Sequence, residues 1–162
     1  MTDFERSKDI DAAPEAVWRV VSDPSRLAEW LPTTTASRPA GHEAVELVGE
    51  SHGHDYDIQG GFVTDDAARR LSWDSPRRSG YRGDLTVAEH PDGSRVTVRV
   101  TIPLAPADAD EEINRGLFEA LERIGRLTEA QQPCVFCRCP ASVRVAGLSQ
   151  PAEDQTRPDI TG

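Results

Sequence analysis

The chain has 162 residues, of which 37% are hydrophobic and 28% charged, enough for one domain that buries its own core without staples. Its formal net charge of −10, with a pI near 4.8, repels phosphate backbones and anionic headgroups, which argues against nucleic acid and peripheral membrane binding. No apolar run approaches the roughly 20 residues of a bilayer span, and MTDFERSKDID lacks the basic and then apolar pattern of a secretory signal, so the chain reads as a cytoplasmic globular protein.

Residues 4–11, FERSKDID, suit a short opening strand. In the next segment, AAPEAVWRVVSDPSRLAEWLP, Pro14 fits a first helical position and Glu15 complements a helix N-terminus, while Val17, Val20 and Val21 share one face. Asp23 followed by Pro24 restarts the signal as an N-cap and first helical residue, with Leu27, Trp30 and Leu31 on one side. Two short helices are predicted after one strand.

From about residue 43 to residue 102 the pattern changes to strands and turns: EAVELVGE, HDYDIQGGFV, RRLSWDS, YRGDLTVAE and RVTVRVTIP. Asp92–Gly93 supplies a hairpin turn between the last two, and Val96, Val98, Val100 and Ile102 alternate with polar residues, which predicts one covered face. Gly60–Gly61 reads as a bulge that bends the sheet. A long helix follows, in which Ile113, Leu117, Leu121, Ile124 and Thr128 trace a stripe, with Glu119–Arg123 and Glu122–Arg126 at i,i+4 on the other side.

Past Ala130 the composition turns proline-rich and aperiodic, so residues 1–130 read as the domain and 131–162 as a largely disordered tail. The tail holds all three cysteines, Cys134, Cys137 and Cys139, an odd count that argues against a disulfide framework. Three thiolates are one short of a closed zinc site.

The order of strand, two short helices, antiparallel strands and one long C-terminal helix is the helix-grip arrangement, an α+β fold. The segment DIDAAPEAVWRVVSDPSRLAEWLP resembles the START-like SRPBCC superfamily, and within it the polyketide cyclase/dehydrase and lipid-transport group. The resemblance covers roughly residues 3–129. It implies a curved antiparallel sheet wrapped around the long helix, with an apolar cavity between them for a lipid, quinone or polyketide-like molecule. It carries over no catalytic residue, since such a fold hosts many activities.

The stretch SHGHDYD, residues 51–57, is the one local cluster with chemistry in it. On a strand, His52, His54, Tyr56 and Ile58 share one face, and Asp55 and Asp57 the other, so the aspartates do not join the histidines around one ion. Two nitrogen ligands without a third make a poor zinc site, and no metal or cofactor is expected. His52, His54 and Tyr56 remain candidate acid/base groups for a cyclase or dehydratase. The plainer reading is a polar strand end.

Trp30, Tyr56, Phe62, Trp73, Tyr81, Leu117 and Leu121 are the candidate ligand-lining residues. Arg82 is a candidate anchor for a carboxylate or phosphate, against the commoner outward-facing arginine. No phosphate loop, zinc-protease motif or nucleophile elbow is present. A small hydrophobic ligand is the expected partner. An interaction module using the acidic surface or the tail is the reading from another class.

Overall fold

Strand β1 (Thr2–Ile10) leads into helix α1 (Pro14–Val21), where Pro14 occupies the first turn and Val17, Trp18, Val20 and Val21 are buried. A short 3-10 turn, Pro24–Arg26, opens with Asp23 Oδ1 accepting from the backbone N–H of Ser25 at 2.9 Å. That turn runs straight into helix α2 (Leu27–Trp30), which buries Leu27 and Trp30. Six strands follow: β2 (Thr34–Pro39), β3 (Ala44–Ser51), β4 (His54–Asp65), β5 (Arg70–Asp74), β6 (Arg82–His90) and β7 (Gly93–Ile102). Helix α3 (Asp110–Gln131) completes the fold. This computed structural model describes residues 2–51, 53–75, 80–103 and 109–131; Gln131, predicted as the start of the tail, ends α3, and the cysteines with the rest of the predicted tail lie outside the described residues.

The strands form one antiparallel sheet in the order β1-β7-β6-β5-β4-β3-β2. Strands β2 to β7 meander from one edge to the next neighbour, and β1 closes the far edge beside β7. The helical segment α1–α2 therefore connects the two edges. This is the α+β helix-grip arrangement predicted from the order of elements.

Two local expectations need correction. Thr34–Pro39 forms an edge strand although TTASRP has no apolar alternation. Its pairing with β3 is a matter of backbone, and a terminal proline is tolerated at an edge because no further strand needs its N–H. The irregularity in the sheet also sits here, between Thr34 and Ala36, and not at Gly60–Gly61, which pair in regular register with Val45 and Ala44. Those glycines answer a close approach: a Cβ on Gly60 would lie 2.6 Å from the carbonyl oxygen of Asp74, and one on Gly61 2.3 Å from its Oδ1. Asp74 Oδ1 in turn accepts from Gly61 N–H at 3.0 Å.

Alternation decides which face is dry. Val96, Val98 and Val100 of β7 lie beside Leu85 and Val87 of β6, Leu71 of β5, and Phe4 and Ile10 of β1, and all of these are buried. Arg6 and Lys8 share that face of β1, reaching Asn114 and Glu122 on α3. The helix therefore covers this face. Glu122 turns to Lys8, the chain's only lysine, and so does not join the helix-surface pair with Arg126 expected from spacing alone. The predicted stripe is the buried one: Leu121, Ile124 and Thr128 are sealed, and Thr128 returns its hydroxyl to the carbonyl of Ile124 at 2.8 Å.

Candidate functional site

The interior between sheet and α3 is unevenly closed. Toward the C-terminal end of α3, Leu121 and Ile124 belong to one sealed cluster with Val17, Val20 and Val21 of α1, and the helix approaches α1, α2 and β1 most closely. Toward its N-terminal end, Ile113 and Leu117 are only half-buried. Half-buried apolar side chains also pack against the core from Leu31, Leu47, Trp73, Tyr81 and Ile102, and from Leu127 toward the C-terminal end of α3. These apolar groups keep part of their surface uncovered beside the core.

The ligand-lining candidates divide by burial. Trp30 and Leu121, each 2% exposed, and Phe62, 7% exposed, are closed into the core. Trp73, Tyr81 and Leu117 are half-buried against it, and Trp73 also borders a depression on the outer face. Phe62 and Trp73 are directly paired across β4 and β5, and Trp73 is paired with Gly83 across β5 and β6. The Trp73 ring lies over Gly83 so tightly that a Cβ there would come within 2.2 Å of Cζ2. A glycine in mid-strand here is the seat for an indole. Leu47 and Ile102, half-buried against the same core, are visible in the sequence as members of the alternating sets in β3 and β7. Leu31, expected on the apolar side with Leu27 and Trp30, follows the end of α2 in extended conformation and is half-buried against the core.

Tyr56 has a different task. Its phenol donates to the carbonyl of Thr33 at 2.9 Å and lies 3.0 Å from Thr34 Oγ1, while its ring covers Gly49, the residue paired with it across β3 and β4. It thereby ties β4 over β3 to the turn that begins β2. Ile58 continues the inward face and is half-buried, whereas Asp55 and Asp57 point outward and are exposed. His54 is exposed at the first position of β4, and His52 lies outside the described residues. The acid/base candidates are thus not gathered in an enclosed pocket among the described residues. Nor does any group of three or more His, Cys, Asp or Glu there stand close enough to hold a metal ion.

Two depressions open on the face of the sheet turned away from α3. One, of about 520 Å³, runs over Gly61, Val63, Ser72, Arg82, Asp84 and Thr101. The other, of about 480 Å³, lies beside Val48, Glu50, Asp55 and Asp57. Arg82 is outward and exposed, as the commoner expectation had it. Its neighbours are internally balanced: Arg70 bonds Asp84 at 2.8 Å, and Arg99 bonds Glu5. Elsewhere on the outside, the hydrogen bond from Arg95 holds the Asp9 carboxyl below the usual carboxylate range, and Arg38 does the same for Glu46. The charged face is therefore a lattice of solvated pairs.

Comparison with known proteins agrees with this geometry. The family profile described as polyketide cyclase/dehydrase and lipid transport matches residues 1–127. Similar solved structures include a protein from Thermus thermophilus, with TM-score 0.69 and 18% identity over 82% of this chain and 100% of that one. A START superfamily protein from Mycobacterium smegmatis has TM-score 0.68 and 12% identity over 80% of this chain and 99% of the other. The Zhui aromatase/cyclase of a Streptomyces species has TM-score 0.64 and 16% identity, covering 82% and 96% of the two chains. At these identities the likeness is one of fold. No curated protein matches the chain.

Proposed function

Because the chain belongs to the polyketide cyclase/dehydrase and lipid transport family, we propose that it binds a small hydrophobic or amphipathic molecule, of the lipid, quinone or polyketide-like kind, between the N-terminal half of α3 and strands β3 to β7. The observation that supports this reading is the set of half-buried apolar side chains packed against the core, Leu31, Leu47, Trp73, Tyr81, Ile102, Leu117 and Leu127, whose uncovered surface a ligand could take from water. Affinity comes from removing that apolar surface and the ligand's own from water, at about 25 cal/mol per Å² before the costs of immobilisation. The aromatic side chains Trp73 and Tyr81 add flat surfaces that suit rings as well as chains.

Turnover is not part of this reading. An acid/base mechanism needs a group within hydrogen-bond reach of the substrate. Tyr56 has its phenol committed to Thr33 and Thr34, and His54 stands in solvent.

The test is native mass spectrometry of the protein purified gently from its own host, beside a Leu117→Trp variant that adds bulk among the half-buried side chains. The wild type is expected to carry a noncovalent small molecule at one per chain, and the folded variant to have lost it. A molecule retained at the same occupancy in Leu117→Trp would place it elsewhere and overturn the reading.

A further inference from the structure

Trp30 closes α2 and is 2% exposed, and its indole Nε1–H meets no acceptor among the described residues. The contrast with Trp18 is direct, since that indole donates to Asp66 Oδ1 at 2.9 Å. Buried indole N–H groups ordinarily have a partner, and one without it costs free energy that a phenylalanine at the same place would not. Trp30 belongs to the buried hydrophobic core. The next residue, Leu31, is half-buried against the same core.

We infer that the Trp30 Nε1–H is the donor for an oxygen acceptor on the enclosed ligand, which makes that ligand a carbonyl-bearing hydrophobe and not a plain hydrocarbon. The inference rests on the enclosed-site reading above. Solvent does not reach Nε1, so the acceptor arrives on a molecule that pushes the half-buried side chains Leu31 and Leu117 aside. In an apolar shell a single such bond orients the ligand and discriminates against analogues lacking the oxygen, because they leave the donor unmet.

Fluorenone and fluorene test this, having nearly the same shape but only one of them a carbonyl. The chain has three tryptophans, so its indole proton–nitrogen spectrum is simple, and Trp18→Phe and Trp73→Phe identify the Trp30 signal by elimination. Fluorenone is expected to move the Trp30 indole proton downfield while the Trp18 proton, held by Asp66, stays in place; fluorene should bind without that shift. In Trp30→Phe the ratio of ketone to hydrocarbon affinity should fall about fivefold relative to wild type. If both molecules bind and move the Trp30 proton alike, or the ratio is unchanged in Trp30→Phe, the donor role is overturned and the site stands. If neither perturbs the interior, both fall together. The wild-type spectra decide the matter even if Trp30→Phe does not fold.

Discussion

The phenol of Tyr56 donates to Thr33 and sits against Thr34, so Tyr56→Phe removes the tether, while the Thr33 carbonyl keeps the backbone N–H of Glu50 at 3.0 Å. A loss of about 1 kcal/mol in urea unfolding is expected, with ligand affinity little changed. Gly83→Val should cost more, about 1–3 kcal/mol, because its Cβ lands on the Trp73 ring and forces it off its seat. The same substitution should weaken ligand binding, which a substitution at the exposed His54 should not. Phe62 and Leu121 could be assigned to the interior from alternation and helical spacing alone. The tether of Tyr56 could not, since its partners lie more than 20 residues away and only the pairing of Gly49 with Tyr56 brings them together.

At the scale of the element, α3 carries two different duties along one stripe. Ile124 is fully buried, and Ile124→Ala should destabilise the fold by about 2–5 kcal/mol through the cavity it leaves. Leu117 is half-buried, and Leu117→Ala should cost about 1 kcal/mol while altering affinity for a hydrophobic probe. Chemical denaturation and a binding titration on the two variants separate the duties; equal effects on both readouts would contradict the division. The helix itself was legible from its 3.6-residue period. Its uneven burial was not, because the stripe reads alike at Leu117 and Ile124 and only the approach of α1 and α2 to one end distinguishes them. Strand β2 was hidden for another reason: an edge strand that pairs by backbone needs no apolar alternation.

For the whole molecule, the outer face is a set of exposed pairs such as Arg95 with Asp9, Arg38 with Glu46 and Arg26 with Glu29, each arginine lowering its partner's carboxyl pKa chiefly by hydrogen bonding. A carboxyl depressed in the folded state stabilises the fold above its unfolded pKa, and that contribution disappears as pH falls through the folded value. Stability should therefore decline on acidification below about pH 4, and the decline should flatten at high salt because the pairs are solvated. A thermal-melt series across pH at two ionic strengths checks both. The order of elements and the acidic surface were readable in the sequence, but which arginine meets which carboxylate was not, since Asp9 and Arg95 are brought together only by the pairing of β1 with β7.

Methyl-resolved NMR on adding fluorenone tests whether the ligand lies inside, against the half-buried side chains of the core. Perturbed methyl signals are expected from Leu31, Leu47, Ile102 and Leu117, with the fully buried Leu71, Leu85 and Val17 nearly unmoved. Perturbation confined to Val63 and Val48, which line the two outer depressions, would put the ligand on the wrong face of the sheet and contradict the enclosed site.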